Sequence, residues 1–413
     1  MKVRLLFVVT SALLPCLVLT RCKGSGSTGT ISAGLTKLGN DPASVVAGAS
    51  FSDSIRVQLT DASGSPKSGA SVAFVVTAGD GIVIPAIAVT DANGKAAAKF
   101  ITGTTMGANT ATATVTGLPA ITFSAPTRFW SSASIGPTPP LQEVWGASAS
   151  DVWAVGNIGR ILHYNGTSWS SVSAGTTRYL YGVWSSSPSD VWAVGEFGTT
   201  LHYNGTSWSS ISSATTQALF GVWGSSAFDV WAVGLSGAIV HYDGTRWSSV
   251  FSGSTQELNS VWGTSASDVW AVGYAGTILH YNGTSWSRVS TAAIGYLYSV
   301  WGSSPSDVWA VGLNEDATGR MLHFDGTTWS TVSIGTRSIL WSVWGSSASD
   351  VWAVGDNGTI LHYNGTRWST ASSVTLQGLN SVWGSSSSDV WAVGGYTTGT
   401  DLSGTVLHGS PSE

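Results

Sequence analysis

Seven histidines stand in register along the C-terminal two-thirds of the chain: His163, His202, His241, His280, His323, His362 and His408. Seven aspartates keep the same period, each opening an Asp-Val-Trp-Ala-Val-Gly run or a close copy of it: Asp151, Asp190, Asp229, Asp268, Asp307, Asp350 and Asp389. Imidazole and carboxylate are common metal ligands and common acid–base catalysts. Zinc, however, needs its ligands about 2 Å from one centre. One His per repeat sets neighbouring imidazoles a whole repeat apart. The pattern therefore predicts hydrogen-bonded structural histidines and aspartates that brace the turn before their strand. No metal and no other cofactor is expected.

Other chemistry is scattered. Glu196, Glu257, Glu315 and Asp356 are the carboxylates a glycoside hydrolase or lyase would draw on. Such an enzyme sets two of them about 5 Å apart to retain configuration and roughly 6.5–9.5 Å apart to invert it. No nucleophile elbow, phosphate-binding glycine loop or zinc-protease helix is present. Ser is too common in the turns for a triad to be argued from its presence. Asn-Gly-Thr occurs at Asn165, Asn204, Asn282, Asn357 and Asn364. Four of these share a slot with Asp243-Gly244 and Asp325-Gly326. Asp cannot carry an N-glycan, whereas Asn-Gly and Asp-Gly both suit a two-residue type I′ hairpin, so the slot reads as a turn.

Residues that break the repeat are the better candidates for a site. The connection after Asp-Val-Trp-Ala-Val-Gly normally runs three positions to the next Gly, as from Gly156 to Gly159. In the fifth unit it runs from Gly312 to Gly319 and adds Asn314, Glu315 and Asp316; in the seventh it runs from Gly394 to Gly404 and adds Tyr396 and Asp401. These long loops would flank the sixth unit, which contributes Asp356 and Asn357. Trp341 falls outside the repeated Trp positions and is expected to arrive from the preceding loop. An indole beside loop carboxylates and amides suits a saccharide or a peptide, the ring stacking and the polar groups fixing orientation.

The elements that position these residues follow from the period. The Asp-Val-Trp motif recurs at spacings of 39, 39, 39, 39, 43 and 39 residues. Each unit carries four short β-type runs: Val-Trp, Asp-Val-Trp-Ala-Val, Leu-His-Tyr and Thr-x-Trp-Ser. Four-stranded units of about 40 residues are propeller blades. The Val-Trp and His runs each occur seven times, but no Trp-Ser run follows His408. The missing strand lies upstream, at Trp130, which precedes Trp145 by 15 residues as Trp169 precedes Trp184. Residues 127–413 thus read as a seven-bladed β-propeller closed by an N-terminal strand. The repeats resemble bacterial propellers with Asp-box-like hairpins, including the photosystem II assembly-factor and sialidase-like types. Tyr-Asn-Gly-Thr-Ser-Trp keeps the Gly and Trp of the Asp box but loses its leading Ser.

Residues 31–126 alternate apolar and polar residues in short runs such as Ser54–Thr60 and Ser71–Val76, separated by Asp61–Pro66 and Asp91–Gly94. That is the pattern of an all-β sandwich. The order of its motifs resembles the bacterial immunoglobulin-like domains of the invasin and intimin adhesins, which implies a rigid spacer. Upstream, Lys2 and Arg4 precede the apolar run Leu5–Leu19, which reads as an export signal over residues 1–22. Cys22 and the Gly/Ser-rich tether 23–30 resemble a bacterial lipoprotein, in which the Cys is lipidated. Arg21 stands where that family has a small residue.

Charge narrows the partners. Residues 127–413 hold 8 Arg against 17 Asp and Glu and no Lys, a net charge of −9. Nucleic acid is excluded as a partner, because phosphate backbones demand clustered positive charge. Anionic lipid is disfavoured too, so a membrane is met through the lipid anchor alone. The two Cys, Cys16 and Cys22, both precede the folded regions, which stand without disulfides. The expectation is a monomeric, non-catalytic adhesion or recognition protein of the periplasm or cell surface, presenting its propeller to glycan or protein. A glycoside hydrolase and an envelope assembly factor are the alternatives.

Overall fold

The computed structural model describes residues 33–39, 41, 45–46, 54–79, 81–102, 108–290, 295–398 and 401–411. The expected export signal and tether, with Cys22, lie outside these residues.

The N-terminal part is a sandwich of two sheets. Strands Gly34–Leu38, Ile55–Thr60, Lys95–Ile101 and Ile82–Ile84 form one in that order; Ile121–Ser132, Ala108–Thr114, Ser71–Ala78 and Ile87–Val89 form the other. Period-two alternation turns Ile55, Val57, Leu59, Phe74, Phe100 and Phe123 into one buried core. Asp61 and Asp91 are turn formers: each Oδ1 accepts two backbone N–H bonds, from Ser63 and Ser65 and from Asn93 and Lys95.

Seven four-stranded blades follow. In the first, Leu141–Ser148 is innermost, then Asp151–Gly156, Ile161–Tyr164 and Trp169–Val172. Its register places Trp145 opposite Trp153, Trp153 opposite His163 and His163 opposite Ser170, so one row of side chains crosses the sheet. The His163 ring stacks on Trp153 at 4.0 Å between centroids, and Trp153 meets the outer Trp208 of the next blade edge-on at 5.4 Å and 82°. T-shaped indole pairs are favoured by the ring quadrupole. Their repetition makes the indoles wedges between blades.

The seventh blade is completed from the other end of the chain. Leu379–Ser386, Asp389–Thr398 and Asp401–Pro411 are its first three strands, and Ile121–Ser132 is the fourth, with Gly409 opposite Trp130 and His408 opposite Ser131. Trp130 then takes the outer indole position, edge-on to Trp352 at 5.6 Å and 78°. Trp391 meets Trp169 of the first blade at 5.3 Å and 83°. The contact that joins every pair of blades therefore also joins the last to the first. The closing strand runs without interruption from the sandwich into the ring, across the point after Pro126 where composition alone would divide the chain.

Candidate functional site

The repeated polar residues form closed local networks. In all seven blades the His Nε2 lies 2.6–2.7 Å from the Asp Oδ1 of the same blade. In six blades the second carboxylate oxygen accepts from a Ser or Thr four residues upstream, as Ser225 donates to Asp229 and Thr264 to Asp268. Burial of Asp229 and Asp389 opposes ionisation, but the bonds from His241 and Ser225, and from His408 and Ser385, outweigh it and hold both carboxyls below the usual range. Among the described residues no three His, Cys, Asp or Glu converge as metal ligands would.

The Asn-Gly slot is a turn of a different kind from the expected one. Only the Gly has positive φ, +90° at Gly166, while Asn165 Oδ1 accepts from the N–H groups of Thr167 and Ser168. Asp243 and Asp325 do the same with the corresponding residues. A carboxylate and an amide oxygen accept alike, which is why Asn and Asp interchange there. Type I′ geometry lies instead between the second and third strands, at Ile158-Gly159 and its counterparts, where both residues have positive φ.

Of the residues that break the repeat, the structure joins two by a hydrogen bond: Trp341 Nε1 donates to Asp356 Oδ1 at 2.7 Å. Trp341 does not come from a loop. It is the second residue of the innermost strand Leu340–Ser347, one step past a fully buried Leu. Asn357 is exposed in the adjoining turn with φ +56°. Asn314 and Asp316 spend their polar atoms inside their own loop, Asn314 on Thr318 and Arg320 and Asp316 on Thr318, while Glu315 is exposed. Tyr396 is exposed on the tall hairpin of the seventh blade; Asp401 opposes Thr398 at its tip, and its side chain lies outside the described residues.

The position of Trp341 matters more than its loop neighbours. The equivalent residue in each blade faces the ring axis, giving Gln142, Tyr181, Phe220, Asn259, Tyr298, Trp341 and Asn380. Together they line a mouth of about 360 Å3. Every other residue of the Leu-x-(Gly/Ser)-Val-Trp column is nearly constant, and this one is not. Two aromatic pairs stand apart: Tyr181 with Phe220 at 5.3 Å, and Tyr298 with Trp341 at 4.3 Å. Amides separate them. Asn259 and Asn380 each donate to the Leu carbonyl of the next blade, and Gln142 donates to Asn157. Burial, with Tyr296, Glu257 and Asp356 nearby, pushes the Tyr298 phenol up to about 12.

Below the mouth the channel narrows. The next residue along each strand is Glu143, Gly182, Gly221, Ser260, Ser299, Ser342 or Ser381. The four Ser Oγ atoms accept the backbone N–H of the Val in the following blade, at 3.2–3.3 Å. Glu143 reaches further and accepts from Val183 N–H through Oε2 at 3.1 Å. Gly182 makes room for it, since a Cβ there would stand 3.2 Å from that oxygen. Enclosure by the ring pushes the Glu143 carboxyl up to about 8, against the opposing bond from Val183. Glu143 is the one ionisable carboxyl among the residues lining mouth and channel, so the lining does not supply the carboxylate pair of a glycosidase. A larger open depression of about 780 Å3 lies at the rim between the first two blades, but it is built from the loop Ser171–Arg178 and the turn Ile158–Arg160 rather than from convergent elements.

Sequence reasoning reached Trp341 and Asp356 but missed the other six mouth residues and Glu143. Their signal is visible once the repeats are stacked column by column, because a variable position flanked by constant ones marks a surface that packing does not dictate.

Residues 32–129 match the family described as "Invasin, domain 3". No curated protein sequence matches the chain. Among solved structures the propeller is similar to "YCF48 bound to D1 peptide", at 15% identity and TM-score 0.56 over 68% of this chain and 94% of that one. It is also similar to YCF48 from Cyanidioschyzon merolae, at 16% identity and TM-score 0.56 over 69% and 99%. A third similar structure is the extracellular domain of the putative hybrid two-component system BT4673 from B. thetaiotaomicron, at 15% identity and TM-score 0.52 over 67% of this chain and 39% of that one. These identities show a shared fold. The chain is an all-β protein that joins an invasin-type domain to a seven-bladed propeller.

Proposed function

We propose that this is an exported cell-surface or periplasmic binding protein, held at the envelope through Cys22, whose axial propeller mouth receives a glycan or protein ligand without catalysis. The observation that carries the reading is the mouth itself. Seven residues, one per blade, diverge in a ring otherwise built of copies, and they are the aromatics and amides that bind by stacking and hydrogen bonding. Two features support the setting: the match to an invasin domain, and similar propellers of which one is bound to a peptide and another is an extracellular domain. Trp341 supplies a flat face, and Asp356 fixes its rotamer. The long loops with Asn314, Glu315, Asp316, Tyr396 and Asp401 would act as an outer rim.

The test is binding of the purified chain to glycan and peptide arrays beside a Tyr181→Ala/Trp341→Ala variant of unchanged circular dichroism. Selective binding that the variant loses is the expected result. Equal binding by both would remove the mouth from the account.

A further inference from the structure

Glu143 is the one residue of its channel position that is neither Gly nor Ser. Six blades complete the same position with Gly or Ser, and four of these already bond the next blade through a Ser hydroxyl. A carboxyl stands there once, directly beneath two pairs of aromatic rings. Among the described residues only Val183 N–H donates to it, and only to Oε2. The channel at this level encloses about 90 Å3, or roughly three waters at ~30 Å3 each. That is room for a slender head group and not for a sugar ring. The mouth above, at about 360 Å3, is wide enough for an alkyl stem lying against Tyr181, Phe220, Tyr298 and Trp341.

Resting on the reading of the mouth as the ligand site, we infer that it takes a cationic side chain, the lysine or arginine of a protein partner, whose stem lies against the aromatic pairs and whose charged head pairs with Glu143. Aromatic faces attract cations through their quadrupole, most strongly where water is excluded, and the long stems of Lys and Arg bury readily along apolar surface. The charge of the whole ring points the same way: 8 Arg against 17 acids, and no Lys, in residues 127–413. Such a field draws a basic partner toward the mouth.

Ion pairing requires the carboxylate, and enclosure pushes the Glu143 carboxyl up to about 8. Binding a cation therefore releases a proton, and affinity must rise with pH until Glu143 is ionised in the free protein. The other titratable groups that face the mouth are the phenols of Tyr181 and Tyr298, both raised, chiefly by burial; Glu257, itself raised by burial, stands at the rim with Glu196 and Asp356, and these three carboxyls act on the phenols and not on Glu143.

The experiment is a chemical-shift titration of the Trp341 indole in the full chain. The probes are capped Gly-Lys-Gly and Gly-Arg-Gly peptides, the norleucine analogue as neutral control, choline, and a panel of neutral disaccharides. Lys or Arg should bind at least tenfold more tightly than norleucine. Its affinity should rise roughly tenfold per pH unit between pH 6 and 8, and Glu143→Gln, which keeps an acceptor for Val183, should abolish both effects. The wild-type pH slope decides the matter even if that variant fails to fold. Norleucine binding as well as Lys, a flat pH profile, or a disaccharide that binds regardless of Glu143→Gln overturns the cation assignment and leaves the mouth as the site. Choline binding more tightly than either peptide overturns the polypeptide source. No shift of Trp341 with any probe overturns both readings.

Discussion

Asp151 differs from its six counterparts by one missing partner. Ala147 stands where the other blades place the Ser or Thr that donates to the Asp, and Asp151 Oδ2 is left buried with no hydrogen bond among the described residues. An unmet buried acceptor costs about 1–3 kcal/mol. Ala147→Ser should therefore raise the stability of the protein by about 1 kcal/mol, read from the urea midpoint at unchanged slope. The same networks set an acid limit. Asp229 and Asp389 are held below their ordinary value of 3.8, so the stability they contribute is present above that pH and drains away as pH falls through their lowered folded values. Asp229→Asn should flatten the acid side of the stability profile. Glu143 has the opposite sign. Raised from 4.5 to about 8, it favours the folded state below its unfolded value, and that contribution is lost as pH rises from about 4.5 to about 8. Glu143→Gln should remove this decline, measured as the thermal midpoint against pH. At this scale the sequence was legible wherever a residue repeats. The His and Asp could be read as structural because seven copies cannot share one metal. Glu143 was not legible, because its role comes from enclosure by six other blades.

The turns between second and third strands show what an element tolerates. Ile158, Phe197, Ser236, Ala275 and Asn357 all take positive φ at the first central position. A left-handed conformation costs an L-residue about 1–2 kcal/mol, least for Asn, which Asn357 already illustrates. Ile158→Asn should stabilise the protein by about 1 kcal/mol, seen as a higher urea midpoint. Period and punctuation made the strands readable, and the count of Val-Trp and His strands against Trp-Ser strands made the closing strand readable. The turn type was not. Asn-Gly suits type I′ in the abstract, but the Asn165 turn spans four residues between strands, so the side chain caps N–H groups instead of entering the left-handed region. Trp341 was likewise misplaced onto a loop, since an indole following Leu340 does not itself reveal where the innermost strand begins.

Across the whole molecule, stability depends on one strand contributed from outside the repeats. Residues 128–132 pair with the strand that ends at Pro411, and Trp130 packs on Trp352. A chain beginning at Ala133 would leave a sheet edge unpaired and an indole uncovered, and such edges template association. It should aggregate in light scattering, whereas a chain beginning at Thr127 should retain the propeller. The strand also belongs to the sandwich, so the invasin-type domain and the ring are joined through regular structure rather than through a loop. That suits a domain that presents its neighbour. It was foreshadowed in the sequence only by the absence of a Gly/Ser-rich linker near Pro126.

On this reading the ligand sits on the axis, within the seven residues from Gln142 to Asn380. A crystal structure of the chain with whichever ligand the arrays select addresses it most directly. Ligand density is expected inside the mouth, against Tyr298 and Trp341 and above Glu143. Density confined to the long loops of the fifth and seventh blades or to the rim depression beside Arg160, with the mouth empty, would contradict it.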